Sequence, residues 1–121
     1  PLSVGAKALV VKTDDVFRLF VVAADMQFDS NAVRKQLGAK KTRFATPDEL
    51  MELTGLVPGS VPPFGDPILK LELYADTGVG RSHDRVAFNA GSLTNSIILA
   101  TADWERIARP TRFAMAKVPG G

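Results

Sequence analysis

Apolar positions in this chain fall into short dense runs rather than long helical stripes. Residues 6–12 (AKALVVK) and 16–24 (VFRLFVVAA) are two such runs, separated by the polar triplet Thr13-Asp14-Asp15. Aliphatic and β-branched residues packed this densely around a short polar break predict a β-hairpin, buried enough to show little strict alternation. Asp29 or Ser30 can cap a short helix through Leu37, and Gly38 is its natural stop. Residues 41–45 return as a strand. Thr46-Pro47-Asp48-Glu49 then spells a capping box with proline at the first helical position, predicting a helix that Gly55 ends.

Residues 53–65 (LTGLVPGSVPPFG) form a loop rich in proline and glycine. Beyond it, alternation over 68–74 predicts a strand, the polar stretch 76–84 a surface loop, and 85–89 and 96–101 two more strands. Thr101 is placed to cap an amphipathic helix over 102–108, which Pro110 halts, and 112–117 reads as a last strand. Six or seven strands with three short helices in 121 residues predict one α/β or α+β sheet domain.

Composition excludes more than it assigns. The absence of cysteine removes disulfides, thiol nucleophiles and thiolate metal sites, and a single histidine, His83, excludes multi-histidine sites, so neither a metal nor a cofactor is expected. No run approaches the roughly 18 apolar residues of a membrane span, and no signal sequence is visible, so a cytoplasmic location is the default. The net charge of +2, from 15 basic and 13 acidic residues, does not announce a nucleic-acid binder. Distribution says more: Arg34, Lys35, Lys40, Lys41 and Arg43 fall within ten positions, with no acid between Ser30 and Pro47. They form either a solvated helix end, where cations complement the helix C-terminus, or a local phosphate-binding patch. Sequence by itself favours the first.

The stretch TGVGRSHD (77–84) lacks the third glycine and the following helix that a dinucleotide site needs. His83, between Ser82 and Asp84, is read as a surface-loop residue, because triad members converge from separate segments. Lys7 and Lys12 are five apart and so point to opposite faces of a strand. Lys12 abuts the polar turn, whereas Lys7 lies among Ala6, Ala8 and Leu9, where a lysine is ordinarily an edge or snorkelling residue. In the 53–65 loop, Pro58, Pro62 and Pro63 fix φ and remove three donors, while Gly55, Gly59 and Gly65 permit close backbone approach. The amides near Gly59, Ser60 and Val61 can then be held rigidly toward a ligand oxygen; without a ligand the loop is simply a stiff connection. A lone cation opposite exposed amides suits a carbonyl or an acyl ester.

Taken in order, AKALVVK (6–12), VFRLFVVAAD (16–25), LGAKKTRFAT (37–46), LTGLVPGSVPPFG with its GxxxP element from Gly59 to Pro63, and FNAGSLTNSI (88–97) resemble the YbaK/ProX family of aminoacyl-tRNA editing domains, relatives of the editing insertion of bacterial prolyl-tRNA synthetases. The resemblance spans nearly the whole chain, residues 1–121. It implies a mixed, mostly antiparallel sheet with a barrel-like core and short flanking helices, and hydrolysis of the ester joining a wrong amino acid, of the Ala, Cys or Ser type, to tRNA. It implies Lys7 as the principal functional residue, Gly59 as its catalytic partner, and Ser60, Val61 and Pro63 as the loop residues that hold the acyl group. Asn89, Gly91 and Ser92 stand where some relatives carry a functional histidine, leaving them hydrogen bonding or shape. Mischarged tRNA is the implied partner, and Arg34, Lys35, Lys40, Lys41 and Arg43 are the candidates to contact it. Only six residues precede Lys7, where family members have a further helix-and-strand segment; the expectation is a domain without that segment, its open side covered by self-association or a partner chain. A non-catalytic tRNA or small-ligand binding module on the same fold is the competing expectation.

Overall fold

The computed structural model describes residues 5–81 and 84–120, so the reading of His83 as a loop residue lies outside the described residues. Strands β1 (Ala6–Thr13) and β2 (Val16–Ala23) form the expected antiparallel hairpin, with Ala6 opposite Ala23 and Thr13 opposite Val16. Asp14 turns the corner at a φ of 53°, and its carboxylate Oδ1 accepts the backbone N–H groups of Lys40 and Lys41 at 3.0 and 2.9 Å. The hairpin is apolar on both sides because both are covered. Leu19 and Val21 join a cluster containing Leu50, Val86 and Trp104, while Phe20 and Val22 join a second one containing Val33, Phe113 and Met115. Two-sided burial of this kind erases strict alternation from the sequence.

β4 (Thr42–Phe44) pairs antiparallel with the far end of β1, and β2 continues through the parallel strands β5 (Leu73–Ala75) and β8 (Thr111–Arg112). The central sheet therefore runs β4-β1-β2-β5-β8. Two antiparallel ribbons flank it, β3 (Gln27–Phe28) with β9 (Ala116–Lys117), and β6 (Arg85–Asn89) with β7 (Ser96–Ala100). Helix α1 (Ser30–Leu37) packs Val33 into the Phe20 cluster, whereas α2 (Pro47–Thr54) and α3 (Thr101–Ala108) pack Leu50 and Trp104 into the other. The result is a mixed α+β domain with mostly antiparallel pairing. No helix among the described residues is long and apolar enough to cross a membrane.

Three elements depart from the sequence reading, one through a local fold and two through long-range contacts. The strand expected over 68–74 begins only at Leu73, because residues 65–71 fold on themselves: Leu69 N–H donates to the Gly65 carbonyl at 3.0 Å and Asp66 N–H to that of Leu71 at 3.3 Å. Gly65 is required there, since a Cβ would lie 2.5 Å from the Leu71 oxygen. The strand expected over 112–117 is split between the central sheet and the β3–β9 ribbon. Asp76 is the pin, its carboxylate accepting Met115 N–H at 2.8 Å and Gly78 N–H at 2.9 Å while only 8% exposed. Thr101 is the first helical residue and Ala100 the cap, because Thr101 N–H is held by the Asp84 carbonyl at 2.7 Å and its side chain packs on Gly80. The one split, together with β3, which no sequence pattern marked, brings the described strands to nine.

Helix α2 starts as its sequence predicts, with Thr46 Oγ1 accepting Glu49 N–H at 3.1 Å and Glu49 Oε1 accepting Thr46 N–H at 2.9 Å. Arg43 grips the same carboxylate through its two terminal guanidinium nitrogens, Nη1 and Nη2, at 2.7 and 2.9 Å. The Arg43 guanidinium first, and the Thr46 N–H second, hold the Glu49 carboxyl at about 2 against its ordinary 4.5. A carboxyl depressed by folding stabilises the native state above its unfolded pKa, and that contribution is lost as pH falls through the folded one. We expect acidification from about pH 4.5 to about pH 2 to lower the melting temperature modestly, the pair being solvated. Glu49→Gln, which keeps the capping geometry but cannot titrate, should remove part of that fall; an identical pH dependence in the variant would show that the pair contributes nothing.

Candidate functional site

Lys7 lies near the start of β1, opposite Val22 of β2. β4 reaches only Val11 to Thr13, so among the described residues the rest of the outer edge of β1 is met by an isolated bridge from Gly5 to Ala87 of β6 and by a bond from Ala45 N–H to the Val10 carbonyl. At this open edge lies a cleft of about 410 Å³, lined by Lys7, Ala8, Gly59, Val61, Asn89 and Ser96 among others. The Lys7 side chain is half-buried and has no hydrogen-bond or ion-pair partner among the described residues. A cation held without a partner at a concave surface is free to meet a ligand's negative charge.

The loop facing Lys7 is pinned along its length. Ser60 Oγ donates to the Val57 carbonyl at 2.8 Å and accepts Val57 N–H at 3.2 Å, while Ser60 N–H donates to the same carbonyl at 3.1 Å. The Ser60 carbonyl accepts Gly91 N–H at 2.7 Å, and the Pro63 carbonyl accepts the indole N–H of buried Trp104 at 2.9 Å. Asn89 Nδ2 donates to the Gly59 carbonyl at 2.9 Å, which ties the loop to β6. Gly59 itself has a φ of 86°, a region open to glycine and strained for β-branched residues. Pro58, Pro62 and Pro63 carry no N–H. The backbone N–H groups of Gly59 and Val61 have no partner among the described residues, so they are the loop's available donors in the lining of the Lys7 cleft.

The structure thus brings Lys7, Gly59, Val61 and Asn89 into one cleft, and adds Ser96, which the sequence reading missed. Ser96 is the partner of Asn89 across the β6–β7 ribbon and donates its hydroxyl to Asn89 Oδ1 at 3.4 Å. Neither run by itself reveals that register. Ser60 and Pro63 are turned inward, both almost wholly buried, and brace the loop from beneath. Gly91 and Ser92 lie off the cleft; Gly91 borders an apolar hollow with Leu56 and Phe64, and Ser92 bonds Thr94. A smaller recess of about 180 Å³ adjoins the cleft, sharing Ala8, Gly59 and Val61 and closed by Phe44 and Leu50.

Of the basic cluster, Arg34, Lys40, Lys41 and Arg43 line a second cleft, and Lys35 is not among its lining residues. Arg34 and Lys35 do occupy the last turn of α1, as the helix-end reading expects, and Arg43 also serves Glu49.

Residues 1–107 match the profile of a family described as the aminoacyl-tRNA editing domain. The chain is 46% identical over 114 residues to the multifunctional Ser/Thr-tRNA deacylase ProXp-y of Escherichia coli (strain K12), a match covering 90% of this chain and 67% of that one. It is 33% identical over 95 residues to the prolyl-tRNA editing protein ProX of Acetoanaerobium sticklandii, covering 75% of this chain and 57% of the relative. A crystal structure described as a proposed trans-editing enzyme for prolyl tRNA synthetase superposes with a TM-score of 0.86 at 23% identity, covering 97% of this chain and 73% of that one, and shares its fold.

Proposed function

This chain belongs to the aminoacyl-tRNA editing domain family, and from that membership we propose that it is a trans-acting deacylase, an enzyme that hydrolyses the ester of mischarged tRNA. The observation that carries the reading is a Lys7 side chain without a partner among the described residues, sharing a cleft with the N–H groups of Gly59 and Val61, which likewise have none there. Water attacks the ester carbonyl, the developing oxyanion is met by amide donors and by the lysine charge, and the ribose oxygen leaves, giving free amino acid and uncharged tRNA. Positioning and preorganised charge supply the rate, with no protein nucleophile. Gly59 acts through its backbone, and Asn89, bonded to the Gly59 carbonyl, fixes its orientation. Ser60 and Pro63 hold the loop's shape from below.

The small adjoining recess is the place for the substrate's side chain, and its apolar lining suits small amino acids. Ala, Cys and Ser esters are the proposed substrates, and the Ser/Thr activity in the name of the Escherichia coli relative adds Thr. A pocket without polar side chains rejects an added hydroxyl poorly, so Ser and Thr esters should not be excluded relative to apolar isosteres. The partner is mischarged tRNA, held by the cluster of Arg34, Lys35, Lys40, Lys41 and Arg43.

A deacylation panel tests the proposal. Ala-, Cys-, Ser- and Thr-tRNA should lose their amino acid at least about tenfold faster than Leu- or Phe-tRNA, a ratio within reach of size discrimination in one pocket. Binding of these tRNAs without hydrolysis of any would convert the reading to a non-catalytic module.

A further inference from the structure

Lys12 has no role in the chemistry above, yet the fold brings it into the cleft of Arg34, Lys40, Lys41 and Arg43, a hollow of about 460 Å³. Three separate elements deliver these cations: the end of β1, the last turn of α1, and β4 with the loop leading into it. The acid in the lining is Asp14, whose Oδ1 is engaged by the backbone N–H groups of Lys40 and Lys41, so it fixes the loop that carries them. Glu49 offsets Arg43, and Asp15 is the remaining acid of the hairpin turn. Lys12 Nζ lies 5.6 Å from the Phe17 ring centroid and has no anionic partner among the described residues.

A scattered set of surface cations would need no ligand, because salt screens it. Here the cations line a concavity, where the field is focused. Every lining residue is polar, with no aromatic ring on which a base would stack, so the hollow suits backbone phosphate rather than a base. Its position is as telling as its charge. Lys12 lies five residues from Lys7 along β1, roughly 17 Å of strand at about 3.3 Å per residue and on the opposite face, a path that a few extended nucleotides can follow past the edge of β1 that β4 leaves unpaired.

We propose that this second cleft binds the phosphodiester backbone a few nucleotides before the esterified end of the substrate, with Lys12 as one of its ligands. The proposal rests on the reading of the Lys7 cleft as the ester site, and it turns β1 into a ruler with the ester at one end and a backbone phosphate at the other.

The test is salt-dependent binding, followed by anisotropy, of two probes: uncharged tRNA and a short single-stranded RNA with the same 3′ sequence. Lys12→Gln should weaken both about tenfold at low salt and reduce the slope of log affinity against log salt by about 0.7 to 0.9, the release expected for one phosphate contact. Lys41→Gln should repeat the signature, which guards against a fold defect peculiar to the Phe17 contact. Lys12→Arg should restore binding, and Lys70→Gln, an exposed cation elsewhere, should match the wild type. An unchanged slope in both glutamine variants, or no binding of either RNA by the wild type, overturns the site. A loss confined to whole tRNA overturns its placement near the 3′ end. Hydrolysis measured on the same preparations separates the two readings: Lys12-dependent binding without ester cleavage sinks the deacylase and keeps the cleft, whereas cleavage with Lys12-independent binding does the reverse.

Discussion

Lys7→Ala is expected to lower ester hydrolysis by at least about 10²- to 10³-fold, the usual consequence of removing one group that stabilises an oxyanion. The melting temperature should stay within a few degrees of the wild type. The Lys7 side chain has no hydrogen-bond or ion-pair partner among the described residues, so its truncation orphans no buried group, and being half-buried it leaves no enclosed cavity. The loss should fall on kcat, and it should be seen with a minimal aminoacyl ester as well as with whole tRNA, because the lysine acts on the reacting carbonyl rather than on the nucleic acid. Lys70→Ala controls for general charge removal. Activity within tenfold of the wild type in the Lys7 variant would remove this residue from the chemistry.

Gly59→Val should produce the second large effect, a fall in activity of an order of magnitude or more beside a stability loss of about 1–3 kcal/mol. At a φ of 86° a β-branched residue is strained whatever the surrounding space. Space is a lesser obstacle, since a Cβ would meet only the Leu93 side chain, at 3.2 Å, and Leu93 is exposed and able to move. Relief of the strain must come from rotation of the loop backbone, which turns the Gly59 N–H and breaks the bond from Asn89. Pro63→Ala should be milder, because the carbonyl that accepts from Trp104 is retained. Melting collapse with unchanged activity per folded molecule would mark the loop as purely structural.

The sequence by itself determined what depends on neighbours a few residues apart. The β1–β2 hairpin, α1 between its Asp29 cap and Gly38, and α2 with its Thr46–Glu49 box are found as read, because caps and turns close hydrogen bonds over three or four residues. Lys7 and the Gly59 loop were visible locally only as a lone strand cation and a braced connection; their candidacy as chemistry came from the resemblance to the editing-domain family. Tertiary structure decided everything that turns on partners far away in the chain. Only the fold shows that Ser96 joins Asn89 in the Lys7 cleft, that the N–H of Ser60 is taken by Val57 whereas those of Gly59 and Val61 have no partner among the described residues, and that Lys12 leaves Lys7 to join Arg34 and Lys41. It also decided that Asp76 would be a buried pin dividing the last strand in two. Which donors remain unpaired, and which charges share a hollow, are remainders after all long-range pairing is complete, and a linear pattern does not contain the register that fixes them.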